Sequence, residues 1–210
     1  MEVHPPDHPI HTWRDLFIHL GVITVGLFIA LSLESFVEYI HHRHIVAEAR
    51  ENIRKEIEVN HESAQADLLS LQQNIDLETK NIQAIRDLRT HPKDFHGSVT
   101  NTMNFNSMED AAWRTARDTG ALSFMPYDEV QRYSDIYMLE NLVNTKAVTT
   151  GERDFLAAAP FDMGYDATEL PDEYYGQMLH DNAAIKVELF TLNQFVKQLD
   201  DQCLAELNKH

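Results

Sequence analysis

The sequence predicts an all-α fold, in which one N-terminal transmembrane helix continues into a long helix that packs in a helical bundle. Three observations support this prediction. Residues 16–33 form an uninterrupted apolar run, and residues 41–90 contain neither Gly nor Pro. Apolar residues also recur at heptad spacing near both ends of the remaining chain, which is typical of packed helices.

The composition limits the classes of function. The 210 residues carry 34 acidic and 17 basic side chains, a formal charge of −17. Such a field repels phosphate groups, so we expect no nucleic-acid partner. The single cysteine, Cys203, excludes a disulfide within one chain and a multi-cysteine metal site. No serine-nucleophile elbow, phosphate loop or dinucleotide fingerprint occurs, so the sequence indicates neither an enzyme class nor a cofactor.

The apolar run has the length of a membrane span. Residues 16–33 contain no Asp, Glu, Lys or Arg, and as a helix they extend roughly 27 Å, close to the hydrocarbon thickness of a bilayer. The run has no polar face, unlike a core helix. An acidic preceding segment and the lack of a small-residue cleavage site are atypical of a signal peptide. We therefore expect an N-terminal tail at 1–15, a retained transmembrane helix at 16–40 and a helical soluble domain at 41–210.

Basic residues predict the orientation of this anchor. Arg14 precedes the span, whereas Arg43, Arg50, Arg54 and Lys55 follow it. Because short loops rich in Lys and Arg stay on the cytoplasmic side, the domain after the span is expected in the cytoplasm.

Two runs resemble segments of a known group of proteins. The run VGLFIALSLESFVE is similar to the anchor of bacterial single-pass membrane proteins of unassigned function, and AAWRTARDTGALSFMPYDEVQRYSDIY is similar to a later segment of them. The shared positions are Gly26, Ala30, Leu31, Trp113, Ala116, Thr119, Gly120 and Tyr133. The resemblance implies a short anchor and a helical domain, and it implies no activity. We expect the chain to lie in the bacterial inner membrane.

Two heptad stripes organise the soluble domain. The first stripe consists of Ile57, Ala64, Leu68, Leu71, Ile75, Ile82 and Ile85, with His61 and Glu78 in its two gaps. The last helix, at about 172–208, carries Ile185, Leu189, Leu192, Val196, Leu199 and Cys203. The simplest arrangement packs the two stripes antiparallel, with two middle helices closing the bundle. Cys203 is then predicted to be a small buried residue that packs as an apolar one.

Turn-forming residues separate the middle helices. Residues 91–106 are predicted as a loop. Ser107 is expected to be the N-cap of the second helix, and Gly120 its left-handed stop. A third helix is expected from about Asp128, with a break near Gly151.

Histidines and acids at the end of the span offer an alternative chemistry. Glu38, His41 and His44 lie three residues apart on one helix, a spacing that can aim ligands at one metal ion. The alternative interpretation is a belt of histidines at the lipid headgroups. Haem ligation by His19 and His42 from two chains is a second alternative. His4, His8 and His11 in the tail are interpreted as a solvated segment.

Glu34 is the one acid that an extended span would place inside the membrane. Acids there pair, line a water path or carry protons, so the chain could be an accessory subunit of a proton-coupled complex. The alternative is that the apolar core ends at Leu33 and that Glu34 reaches water.

The sequence best fits a non-enzymatic, single-pass interaction or scaffold protein, an accessory subunit of a membrane assembly. Its expected partners are the lipid bilayer and either a second copy or another membrane protein. Gly26 and Ala30 share one face of the span, as in small-residue faces that pack two transmembrane helices. His61 interrupts the first heptad stripe, and Glu58 one turn earlier is its expected partner.

Overall fold

The computed structural model describes residues 13–164 and 169–209, so the predicted tail histidines His4, His8 and His11 lie outside the described residues. Five helices occur in the described part: α1 (Trp13–Thr90), α2 (Ala111–Asp118), α3 (Tyr127–Ala157), α4 (Ala159–Asp162) and α5 (Asp172–Leu207). Short 3-10 turns occupy Pro92–Asp94 and Ala121–Phe124. No β-strand occurs among the described residues, and the all-α prediction is confirmed.

The chain divides into two compact units, Met1–Glu48 and Ala49–His210. α1 begins in the first and ends in the second, so the predicted continuity of the apolar helix with the next one is confirmed. In the first unit, none of the most apolar 18-residue window of α1 is buried. By length and composition this helix could cross a membrane.

Three long helical segments form the second unit. His61 and Arg89 of α1 pair with Asp200 and Asp172 of α5. The α1 residue numbers rise while the α5 numbers fall, so these two helices are antiparallel, as predicted.

α3 runs parallel to α1 and antiparallel to α5. Arg50 of α1 binds Glu129 of α3 in a two-bond pair with both N···O distances at 2.7 Å. Near the other end of α3, Lys146 lies 3.0 Å from Glu188 of α5. Arg153, two turns later, also pairs with Glu188.

The core follows the predicted stripes closely on α5 and partly on α1. All six predicted α5 residues are buried, with exposures of 2% or less. On α1, Ile57, Ala64, Leu71 and Ile85 are fully buried, whereas Leu68, Ile75 and Ile82 are half-buried. Each fully buried Leu or Ile stabilises the fold by roughly 1.5–3 kcal/mol, so the last helix is held chiefly by its apolar stripe.

Two predicted details of the middle helices are wrong. α2 begins at Ala111 rather than after Ser107, because the acceptor that caps it lies on another helix. α3 does not break at Gly151 and continues to Ala157. A single glycine costs a helix only about 1 kcal/mol, and the bonds from the surrounding turn to Glu188 offset that cost. The predicted stop at Gly120 is confirmed, since its φ is 78°.

Candidate functional site

An extended segment lies between α1 and α3 and is hydrogen-bonded to both helices. We call residues 98–110 the strap. Its odd-numbered side chains from Val99 to Phe105 are half-buried, while the even-numbered ones are exposed. Alternation of this kind is typical of an extended chain lying on a surface. The strap includes most of the predicted 91–106 loop, which the structure confirms as non-helical apart from the turn at Pro92–Asp94.

Two asparagines of α1 bind the strap backbone as one peptide group binds another. Asn81 donates to the carbonyl of Thr100 at 2.9 Å and accepts from its N–H at 3.1 Å. Asn60 makes the same pair with Glu109, at 2.7 Å and 2.8 Å. The amide side chain has one donor and one acceptor in the geometry of a backbone, so both polar groups of the bound residue are satisfied.

α3 binds the strap from the opposite side in the same way. Asn144 accepts from the N–H of Met108 at 2.9 Å and donates to its carbonyl at 3.0 Å. The Asn101 side chain donates to Asp154 at 3.1 Å. Both helices therefore recognise the strap mainly through its backbone, by polar side chains that point into the bundle.

A buried carboxyl layer lies beneath the C-terminal end of the strap. Glu56 of α1 accepts from the backbone N–H groups of Ala112 and Trp113, at 2.7 Å and 3.2 Å. It also accepts from the Tyr137 hydroxyl at 2.7 Å. Glu56 is the cap of α2, which explains why the Asp110 side chain makes no capping bond.

Glu140 of α3 completes this layer and is 1% exposed. Asn60 donates to its Oε1 at 2.8 Å, while its Oε2 is buried without a hydrogen-bond partner among the described residues. Burial raises the pKa of Glu140 to about 9, because an unpaired charge inside a protein is costly. At neutral pH this side chain is a neutral acid.

The same environment suppresses the reactivity of its neighbours. Burial raises the pKa of the Tyr137 hydroxyl above its ordinary value. Burial, with the Glu140 charge second, raises the pKa of the Cys203 thiol to about 12. A thiol in this state is a poor nucleophile, which agrees with the interpretation of Cys203 as a small core residue.

A second buried carboxyl pair lies beneath the N-terminal end of the strap. Glu78 of α1 and Asp154 of α3 are 2% and 3% exposed. Asn81 donates to Oε1 of Glu78 at 3.0 Å, whereas Oε2 has no hydrogen-bond partner among the described residues. Burial, and then the nearby Asp154 charge, raises the pKa of Glu78 to about 7. Burial also raises the pKa of Asp154.

His61, the histidine in the first heptad stripe, pairs with a residue of another helix. His61 Nδ1 lies 2.7 Å from Asp200 Oδ1 on α5, although the contact lacks the angles of a hydrogen bond. It is therefore an electrostatic contact when His61 is protonated. The expected partner Glu58 is wrong, because its side chain is exposed on α1 while α5 presents an acid directly to the ring.

The structure places the other candidate residues on the exposed surface of α1. Gly26, Ala30, Glu34, Glu38 and His41 are all exposed, and so is His44. Glu38 lies 3.9 Å from His42. Residues 13–164 and 169–209 contain no group of three or more His, Cys, Asp or Glu side chains that could hold a metal ion. The metal, haem and proton-carrying roles stay predictions.

The buried polar residues beneath the strap were not singled out as a site from the sequence. Asn60, Asp67 and Asn81 occupy positions beside the apolar stripe, where solvent-facing residues also occur. One signal was available: Glu78 fills an apolar position of the heptad grid, and such a residue is expected to have a buried role.

Comparisons with known proteins found no match to the chain among protein-family models, curated proteins or solved structures. The resemblance of its apolar helix and its middle segment to bacterial membrane proteins therefore stays a prediction.

Proposed function

We propose that this chain is a single-pass, membrane-anchored helical protein that assembles with a second copy and serves as a scaffold or accessory subunit in the bacterial inner membrane. In this proposal, residues 16–40 cross the bilayer and the helical domain lies in the cytoplasm.

The exposed apolar segment of α1 is the observation that supports this proposal. Every large apolar side chain from Leu16 to Ile40 is exposed, with values between 41% and 68%. A soluble monomer rarely exposes a contiguous apolar surface of this size, and such a surface marks contact with lipid or with another protein. Its length matches the hydrocarbon core, so lipid accounts for most of it.

A small-residue face supports self-association within the bilayer. Gly26 and Ala30 are one turn apart on α1. Apart from the adjoining residues of the helix itself, no atom lies within 4 Å of the position that a Gly26 side chain would occupy. Two helices approach closely along such a face and gain van der Waals contact, which drives association where the hydrophobic effect is absent. The simplest assembly is a parallel dimer.

Cross-linking in native membranes tests the proposed assembly. The wild-type chain is expected to give a dimer band, which Gly26→Ile and Ala30→Ile reduce because each bulky side chain separates the two backbones. Gly21→Ile is the matched control, since it adds the same side chain to another face of the same helix. No wild-type dimer, or equal dimer in all three variants, would reject this interface.

A further inference from the structure

The N-terminal end of the strap lies on a buried pair of carboxyl groups, Glu78 and Asp154. Asn81 is the link on α1, because its amide donates both to Glu78 at 3.0 Å and to the Thr100 carbonyl at 2.9 Å. Asn101 of the strap is the link on α3, through its bond to Asp154. The strap is therefore bonded to one carboxyl directly and to the other through one side chain.

From this arrangement we propose that Glu78 and Asp154 form a proton-controlled latch for the strap. With a proton on Glu78, the pair holds residues 98–103 between α1 and α3. With both carboxyls ionised, the two charges repel each other and the N-terminal half of the strap leaves its place between α1 and α3.

The unpartnered oxygen of Glu78 explains why a proton is needed. Oε1 already accepts a bond from Asn81, so Oε2 is the place for the proton. When that proton leaves, a charge remains in a dry position beside Asp154, with no basic group bonded to either carboxyl among the described contacts. Two such charges inside a protein are strongly unfavourable, and admitting water by lifting the strap relieves them.

The groups around the pair leave its charge uncompensated. The α1–α5 pairs at His61 and Arg89 place Asn182 of α5 at about the level of Glu78. Asn182 is uncharged, fully buried, and its side-chain oxygen has no hydrogen-bond partner among the described residues.

The nearest basic groups on α3 are engaged elsewhere. Lys146 and Arg153 both pair with Glu188 of α5, which also accepts from the Thr150 hydroxyl one turn before Asp154. On the strap itself, the Thr100 backbone is bonded to Asn81 and the Asn101 side chain to Asp154, and neither residue carries a charge.

The strap can separate from the helices without loss of the main core. Its side chains from residue 98 to residue 106 are exposed or half-buried. The N-terminal half of the strap is held by polar bonds to Asn81 and Asp154. Segments with few buried apolar contacts open at low free energy cost. The C-terminal half has a separate set of bonds, to Asp67, Asn144 and Asn60, so it can stay in place.

The direction of the pH effect follows from linkage. Glu78 holds its proton more tightly in the closed form, where its pKa is about 7, than in the open form, where it has its ordinary value of 4.5. The closed form is therefore fully favoured below about pH 4.5, loses stability as the pH rises through about 7, and reaches a lower plateau above about pH 8.

Hydrogen exchange of the full chain in detergent micelles tests the latch. The reporter is the Thr100 amide, which donates to Asn81, and the internal reference is the Glu109 amide, which donates to Asn60. After correction for intrinsic exchange, the protection of Thr100 is expected to fall about fortyfold between pH 5 and pH 7 and to level off above about pH 8. The protection of Glu109 is expected to change much less.

Two variants separate the latch from general destabilisation. Both Glu78→Gln and Asp154→Asn keep the acceptor oxygens used by Asn81 and Asn101. Glu78→Gln removes the titrating group and is expected to abolish the pH dependence at Thr100. Asp154→Asn removes the second charge but leaves Glu78 buried, so it is expected to reduce that dependence. Glu152→Gln on the exposed side of α3 is the control and is expected to behave as wild type. The latch is overturned if wild-type Thr100 shows no such pH dependence, if both variants retain it, or if Glu109 loses protection in parallel.

Discussion

At the scale of single residues, buried polar side chains distinguish this bundle from a purely apolar one. The α5 stripe could be predicted because leucines at heptad spacing have few alternatives to burial. The burial of Asn60 and Asn81 could not be predicted, because an asparagine beside the stripe is equally compatible with exposure to solvent. Its partner is the backbone of a segment 19 to 49 residues away along the chain, and no local pattern records that pairing.

Glu140→Gln is predicted to stabilise the protein at alkaline pH. The folded state holds the Glu140 proton more tightly than the unfolded chain, with a pKa of about 9 against an ordinary 4.5. The wild type therefore loses free energy of unfolding as the pH rises between those values. Glutamine keeps the acceptor for Asn60 and does not titrate.

Urea denaturation of the full chain in micelles at pH 5 and pH 8 measures this effect. The gain of the variant over wild type is expected to be on the order of 3–5 kcal/mol larger at pH 8 than at pH 5. Asp135→Asn, on the exposed side of α3, provides the control. A gain that does not depend on pH would show that Glu140 is not a buried neutral acid.

Asn60→Leu is predicted to destabilise the fold by roughly 1–3 kcal/mol. The substitution leaves the N–H and carbonyl of Glu109 without their partners and removes the donor to Glu140. Asn52→Leu makes the same change at an exposed position of the same helix and is expected to cost less than 0.5 kcal/mol or so. Equal denaturation midpoints for the two variants would contradict the role of Asn60.

At the scale of helices and turns, local signals succeeded where the stabilising partner is local. Gly120 could be recognised as a helix stop because its backbone conformation favours glycine. The start of α2 could not, since Glu56, which caps it, precedes Ala112 by 56 residues. A nearby serine, Ser107, has the residue type of an N-cap and predicts a start three residues too early.

Two glycines of the same domain are predicted to respond oppositely to alanine. Gly120→Ala forces an alanine to a φ of 78° and should lower stability by about 1 kcal/mol. Gly176→Ala lies within α5 with no atom near its new methyl group, and should raise stability by roughly 0.5–1 kcal/mol. Thermal denaturation followed by circular dichroism compares the two, and equal signs would contradict the assigned backbone conformations.

At the scale of the whole molecule, the chain combines an apolar helical segment as long as a bilayer is thick with a helical domain in which polar side chains bind the strap. The length of this apolar segment could be predicted directly from residues 16–33, because a candidate membrane span is recognised by its length and composition alone. The direction of insertion depends on a weaker signal, the excess of Arg and Lys after the span over Arg14 before it.

The proposed orientation, with the helical domain in the cytoplasm, predicts that an introduced cysteine is protected from reagents added outside the cell. Lys93→Cys in a Cys203→Ser background places the thiol on an exposed turn. A membrane-impermeant maleimide should label it only after spheroplasts are lysed. Labelling in intact spheroplasts would reverse the orientation.

Carbonate washing of membranes that contain the full-length chain tests the central claim, that this protein is anchored by α1, most directly. The full chain is expected to stay in the membrane pellet, since alkaline washing removes peripheral proteins but does not extract a helix buried in hydrocarbon. A matched chain without residues 16–40 should appear in the supernatant. Release of the full chain into the supernatant would contradict the membrane anchor and the proposed function that depends on it.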